Sequence, residues 1–347
     1  MPPRILVETF AQSDVGRARE HNEDAFVVVN LSEPQPVHFD AVLKQPADRQ
    51  GTLFMVADGM GGAAAGELAS ATAVDVVVRY LKEHWSGAAK ENPTEFVRSL
   101  AKATEVANSA IFSYAGEHPE LRGMGTTATL AGLLGDTLYL VQVGDSRAYL
   151  VRDGLAFQLT KDQSLMQKLL EAGEISEHEA EFSERRNIIL QALGPEPQVR
   201  VDLTFQQVRR GDVLILCSDG LTGLVKPDMI GRAVMEEGDL SRACARLIGV
   251  ANDLGGPDNI TVVAARFDGE GLQPATTVDE VGHRAFALEG HITLHEHLAQ
   301  RQAATPPGAL PVVDEERRRR GERYVRIVAG VGVVALLAVA WWWLGQG

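Results

Sequence analysis

The chain has 347 residues, 45% of them hydrophobic, enough for one large domain or two with a substantial core. Its 33 Lys+Arg against 47 Asp+Glu leave a net charge of −14, which excludes a general nucleic-acid binder because no basic field displaces counterions from phosphates. Two cysteines match no disulfide framework or metal spacing, and "MPPRILVETFAQSD" lacks the long apolar stretch of a signal peptide.

In chain order, strands are predicted over 4–10, 25–30 and 52–57, the second preceded by the acids Glu23 and Asp24 in "REHNEDAFVVV". The third, in "TLFMVADGMGG", is apolar on both faces and ends abruptly in Asp58 and a cluster of glycines. A helix follows over 64–84, with Leu68, Ala71, Val74, Val78 and Leu81 as its apolar stripe, and another over 94–115. The strand pairs 126–134/137–143 and 147–152/155–159 are joined by the short turns of "LLGDTLYL" and "LVRDGLAF", which marks antiparallel hairpins. Asp145 sits between these pairs in "LVQVGDSRAY". A helix over 163–172, strands over 198–205 and 212–217, helices over 227–237 and 240–254 and a last strand over 260–267 complete the pattern. So many hairpins with few helices predict an α+β chain, in which packed antiparallel sheets are flanked by helices, rather than a doubly wound parallel sheet.

Acids recur at the strand ends: Glu23–Asp24, Asp58, Asp145, Asp219 in "LILCSDGLTG" and Asp258 in "GGPDNITVV". One Asp-Gly is an ordinary turn. Five acidic clusters meeting at one place would repel unless cations held them, and all-oxygen ligands select hard ions such as Mg²⁺ or Mn²⁺.

"SDVGRAREHNEDAF", "VADGMGG", "GTTATLAGLLGDTLYLVQVGDSRAYL", "LILCSDGLTG" and "GGPDNITVV" together resemble the ordered motifs of the metal-dependent type 2C protein serine/threonine phosphatases, of bacterial type, over residues 5–267. The resemblance implies a β-sandwich of two antiparallel sheets with helices on both outer faces. It also implies a two-metal site that hydrolyses phosphoserine and phosphothreonine in proteins by attack of a hydroxide bridging the metals. By the same resemblance Asp58 bridges both metals and the Gly59 carbonyl is a further ligand. Asp219 and Asp258 complete one metal, Glu23 and Asp24 hold metal-bound waters, and Arg19 grips the phosphate. Asp145 with Asp219 resembles a third, weaker metal site; its structural alternative is the bracing of a turn.

Three departures stand out. Met60 occupies a place where some relatives carry a His, and Ala63 follows the two glycines where bacterial relatives often have one. Gln163, followed by Ser164, stands where His is common, at the edge of a flap region that reaches "ERRNIILQALG". Intact Asp58, Asp219 and Asp258 argue against a binding-only pseudophosphatase, the absence of sensor or anti-sigma domains against a dedicated sigma-pathway enzyme, and the acid clusters against a membrane scaffold without chemistry.

The phosphatase domain is thus expected over 1–268. Residues 269–326 read as a flexible linker whose His283, His291, His295 and His297 are solvated rather than metal-binding. A transmembrane helix is expected over 327–344, "IVAGVGVVALLAVAWWWL". Trp341, Trp342 and Trp343 close it, and Arg317, Arg318, Arg319, Arg320, Arg323 and Arg326 precede it, so the positive-inside bias keeps the catalytic domain cytoplasmic as a single-pass protein of the inner membrane. Expected partners are phosphorylated proteins, among them membrane-associated Ser/Thr kinases and their substrates.

Overall fold

The computed structural model describes residues 4–298 apart from 34–40, 86–91, 277–278, 292 and 295–296. In order run β1 (Leu6–Asp14), β2 (Asp24–Asn30), β3 (Leu43–Pro46), β4 (Thr52–Met60), α1 (Ala63–His84), α2 (Pro93–Glu117), β5 (Gly125–Thr126), β6 (Ala128–Leu134) and β7 (Thr137–Val143). Then follow β8 (Arg147–Arg152), β9 (Leu155–Gln158), α3 (Leu165–Glu171), α4 (Glu177–Glu181), β10 (Asp202–Gln207), β11 (Val213–Cys217), α5 (Asp219–Thr222), α6 (Pro227–Glu237), α7 (Leu240–Asp253) and β12 (Ile260–Asp268).

One sheet has the order β3-β1-β12-β11-β8-β9; the other runs β10-β7-β6-β4-β2, with β5 paired to β4 at its far end. Every pairing in these ladders is antiparallel. The β8–β9 turn places Asp153 and Gly154 at φ 51° and 79°, the doubly left-handed turn that suits a two-residue hairpin.

The both-face apolarity of the central strands has a direct cause: each strand faces a core on either side. In β4, Phe54 and Val56 pack between the sheets with Leu140, Leu214, Leu216, Val263 and Phe267. Leu53 and Met55 point the other way, onto α1 and α2, where Ala69, Ala73, Val77, Phe96 and Leu100 meet them. The opposite outer face, with Tyr149, Ile215 and Val262, is covered by Ile230 and Val234 of α6 and by Cys244, Leu247 and Ile248 of α7. Helix, sheet, sheet and helix form the four layers expected.

Two expectations shift. The fully buried stripe of α1 is Ala65, Ala69, Ala73, Val77 and Leu81, because small residues let this helix sit closely on β4; of the expected stripe Leu68, Val74 and Val78 pack against the same core half-buried, and only Ala71 is exposed. The linker expected from 269 does not begin there. Leu272 packs between the sheets, Phe286 and Leu288 pack against the α1–α2 core, and Leu294 is buried. Phe205 N–H donates to Arg284 O (3.0 Å) and Phe286 N–H to Leu203 O (2.8 Å), so 284–286 lies along the open edge of β10. Arg209 grips Asp279 (2.7 Å) and the Arg284 guanidinium lies 4.7 Å from the Phe205 ring centre. The flexible-linker reading missed this role because covering a sheet edge needs backbone pairing and a few apolar side chains, not periodicity. The expected membrane span at 327–344 lies outside the described residues. Among those described, no helix is long and apolar enough to cross a membrane.

Candidate active site

The acidic strand ends meet at one end of the sandwich. Asp58 of β4 stands opposite Asp24 of β2 in the ladder. Its backbone is held on three sides: Asp58 N–H donates to Thr127 Oγ1 (2.9 Å), and Asp58 O accepts from Thr127 N–H (2.9 Å) and Thr126 Oγ1 (2.9 Å). Thr127 Oγ1 in turn meets Ser146 Oγ at 2.7 Å.

The next position, Gly59, donates to Glu23 O at 3.2 Å, and a Cβ there would lie 2.3 Å from Gly66 O and 2.5 Å from Glu23 O. A Cβ on Gly66 would fall 1.8 Å from Glu23 Oε2. The paired glycines therefore let the first turns of α1 close onto β4 with the Glu23 carboxyl between them.

Asp219 follows β11 at the first position of α5, and Asp258 lies just before β12. Asp24 Oδ2 accepts from Ser218 Oγ (2.7 Å) and Thr261 Oγ1 (2.6 Å), and Thr261 Oγ1 is 2.6 Å from Ser13 Oγ, itself a partner of Asn22 Nδ2 (2.8 Å). Asn259 ties the acidic loops together. It accepts from Glu23 N–H (2.8 Å) and donates to Val15 O and His21 O (2.9 Å each). Sequence reasoning missed Thr126, Thr127, Ser218, Asn259 and Thr261. Their signal was polar residues inside otherwise apolar strand ends, each beside an acid that needs orienting.

These carboxyls lie deep among protein atoms and close to one another, and both facts favour the protonated form. Burial first, then the charges of Asp24, Asp219, Asp145 and Asp258, push the Asp58 carboxyl well above its ordinary value. Burial also raises Asp219, with Asp258 adding to it, while a hydrogen bond with Asp58 and the charges of Arg147 and Arg19 oppose the rise. Asp24 is raised to about 7 by burial, against the bonds from Thr261 and Ser218, and Asp145 to about 8 by burial and then by Asp219 and Asp162. Burial raises Glu23 as well.

Asp24 Oδ1 and Asp145 Oδ1 are fully buried without a hydrogen-bond partner. Orphaned acceptors beside mutually repelling carboxyls are what a hard divalent cation satisfies, so the donor set fits Mn²⁺ or Mg²⁺. Among the described residues no three His, Cys, Asp or Glu side chains close around a single point. The acids come instead as pairs, Asp24 across from Asp58 and Asp58 bonded to Asp219.

Arg19 lies at the rim, half exposed, with Nη2 on Asp258 Oδ2 at 2.8 Å. That leaves most of its planar fork available to an incoming phosphate. Arg19→Ala should raise KM for a phosphothreonine peptide about tenfold while changing kcat less, as loss of a bidentate contact predicts. Steady-state kinetics would check this, and an unchanged KM would leave Arg19 a surface charge paired with Asp258. Met60, on β4, pairs with Gly125 in the ladder, and Ala63 opens α1.

Asp145 borders a groove of about 430 Å³ shared with Asp219, Arg147, Ser164, Arg186 and Lys226. Arg147 is fixed there by Asp162, through Nε at 2.9 Å and Nη2 at 2.7 Å. Ser164 caps α3 through Gln167 N–H, and Ser176 with Glu179 forms a reciprocal cap that starts α4. Its S-x-x-E spacing could have announced this short helix. Gln163 is turned inward rather than opening the helix. Both thiols, Cys217 and Cys244, are free and buried, which pushes each up to about 12 and removes them as nucleophiles.

A model of the protein phosphatase 2C family matches residues 38–250. The serine/threonine phosphatase stp of Listeria monocytogenes is 36% identical over 258 residues, 74% of this chain and 94% of that protein. PstP, a serine/threonine protein phosphatase of Mycobacterium tuberculosis, is 37% identical over 261 residues, 75% of this chain and 45% of that longer one. Its crystal structure superposes with a TM-score of 0.62 at 34% identity, covering 76% of this chain and 99% of that one. A PstP catalytic domain in complex with two manganese ions gives 0.61 at 35% identity over the same shares. Motif order, sandwich topology and similarity across nearly the whole of a bacterial relative agree: the chain belongs to the protein phosphatase 2C family.

Proposed function

We propose that this protein is a manganese- or magnesium-dependent serine/threonine protein phosphatase, held at a membrane by its C-terminal apolar run. The observation that carries the activity is the pair of buried, unpartnered carboxylate oxygens on Asp24 and Asp145, at the strand ends where Asp58 and Asp219 meet. Asp58, the Gly59 carbonyl, Asp219 and Asp258 would hold two cations, with Glu23 and Asp24 at their margin and Asp145 with Asp219 at a third, weaker position. When bound, such cations activate water near neutral pH and offset the charge of the phosphoryl group.

The protein's own groups supply the rest. Arg19 binds and orients the phosphate at the rim, and its attraction to Asp258 keeps it poised there. Thr126 and Thr127 fix the Asp58 backbone, and Ser218 and Thr261 fix the Asp24 carboxyl, so the ligands need little reorganisation. Turnover of a phosphothreonine peptide by the full chain should require Mn²⁺ or Mg²⁺, and undiminished turnover in excess EDTA would overturn the assignment.

The anchor rests on residues 317–347: arginines, then an uncharged run ending in three tryptophans. A tether of this kind raises the effective concentration of membrane partners, so phosphorylated membrane Ser/Thr kinases and their substrates are the proposed targets, at the cytoplasmic face of the inner membrane. Deleting 317–347 should leave peptide turnover unchanged, move the protein to the soluble fraction and raise phosphorylation of membrane kinases in cells. A truncated protein that still sediments with membranes would refute the anchor.

A further inference from the structure

Between the C-terminal strap and the metal-binding end runs an unbroken chain of buried hydrogen bonds. Leu294 N–H donates to Asp202 Oδ1 at 3.0 Å. Three residues earlier, His291 Nε2 lies 2.8 Å from Val201 O. A carbonyl only accepts, so this nitrogen carries the proton. The other oxygen of Asp202, Oδ2, accepts from Gln163 Nε2 at 2.8 Å.

Gln163 is 1% exposed and uses both ends of its amide. Its Oε1 accepts from Gly144 N–H (3.1 Å), the residue before Asp145, and from Gln191 Nε2 (3.0 Å). Its backbone joins the same two regions: Gln163 N–H donates to Gly144 O (2.8 Å), and Leu190 N–H donates to Gln163 O (2.7 Å). Gly144 has φ +95°, and a Cβ there would lie 2.6 Å from Thr127 Cγ2, so the turn before Asp145 is held against the threonine that also supports Asp58. Gln191 closes the far side through Arg200, donating to its carbonyl (2.5 Å) and accepting from its N–H (2.9 Å).

We propose that residues 284–291 together with Leu294 are a positioning strap for the active site, which through Asp202 and Gln163 sets the turn carrying Asp145 and the return of the flap at 188–191. Asp202 and Gln163 are positioning residues; neither faces the substrate. The strap leads from the phosphatase domain to the rest of the chain, so a pull or partner acting beyond it has a route to the turn that carries Asp145. The proposal rests on the phosphatase reading only for its consequence, since the hydrogen-bond relay itself is independent of substrate and metal.

Polarity makes the relay testable, because Gln163 must donate to Asp202 while accepting from Gly144. Leucine does neither, whereas a neutral imidazole does both with its two nitrogens. Amide hydrogen exchange on the full-length, metal-free chain separates the cases without reference to catalysis. Gln163→Leu and Leu294→Pro, which removes the donor at the strap, should each speed exchange about tenfold in segments 143–147 and 186–193, the loss expected for one buried bond. Segments 52–58 and 213–217 should be unchanged. Gln163→His should restore protection, and Leu294→Ala, which keeps the N–H, should not produce the pattern. In the metal-loaded enzyme the first two variants should also need more Mn²⁺ for half-maximal turnover. Exchange unchanged in 143–147, or raised evenly over the domain, would overturn the relay. Selective exchange in an inactive protein would uphold the relay and overturn the phosphatase reading instead.

Discussion

Asp219→Asn is expected to lower kcat on a phosphothreonine peptide on the order of 10³-fold at saturating Mn²⁺, and further when metal is limiting. Asparagine keeps the shape and one acceptor oxygen but removes the charge. Asp219 lies where this matters most, bonded to Asp58, pressed by Asp258 and bordering the groove that Asp145 shares. The metal-free fold should survive, because one member of a mutually repelling set has been neutralised; its melting temperature should match or exceed that of the parent. Activity and stability then move in opposite directions, which distinguishes loss of a ligand from loss of the fold. Full activity at limiting Mn²⁺ would show that Asp219 is not a ligand.

Removing the metal should make stability fall as pH rises. Asp24 and Asp145 are raised from ordinary carboxyl values to about 7 and about 8, so between pH 4 and those values the folded chain binds more protons than the unfolded one. Stability with that sign is complete below the unfolded pKa and is lost as pH climbs through the folded pKa. A loss of a few kcal/mol between pH 5 and 8.5 corresponds to roughly 5–10 °C in melting temperature for a domain of this size. Excess Mn²⁺ at pH 8.5 should reverse the drop, since cations take the place of the protons and bind only the folded state. Thermal melts in EDTA and in Mn²⁺, with Asp24→Asn and Asp145→Asn as controls that flatten the EDTA profile, would check it. A metal-free profile that is flat over this range would show that the carboxyls do not repel as their placement implies.

Much was legible before any coordinates. Two-residue turns such as Asp153–Gly154 announce hairpins locally, because φ > 0 is a property of the residues in the turn. Central strands apolar on both faces, as in Leu53–Val56, require a core on each side and hence a layered fold. The acids at the strand ends could be read as metal ligands because so many carboxyls beside apolar strands have no other plausible compensation.

What tertiary structure alone decided is where polar groups find their partners. The stripe of α1 turned toward Ala69 and Ala73 because Gly66, on that same face of the helix, and Gly59 of β4 let the two backbones approach closely. Asn259, Thr127 and Thr261 are unremarkable in sequence; their hydrogen bonds to the acidic loops span from 69 to 244 positions of chain. The strap after β12 read as linker because it has neither period nor high hydrophobicity, yet Phe286 and Leu294 complete an edge that exists only once β10 is in place. Local conformation and the candidate ligands are written in neighbouring residues. Orientation of those ligands depends on hydrogen bonds between distant segments, and these acquire a geometry only when the two sheets have packed.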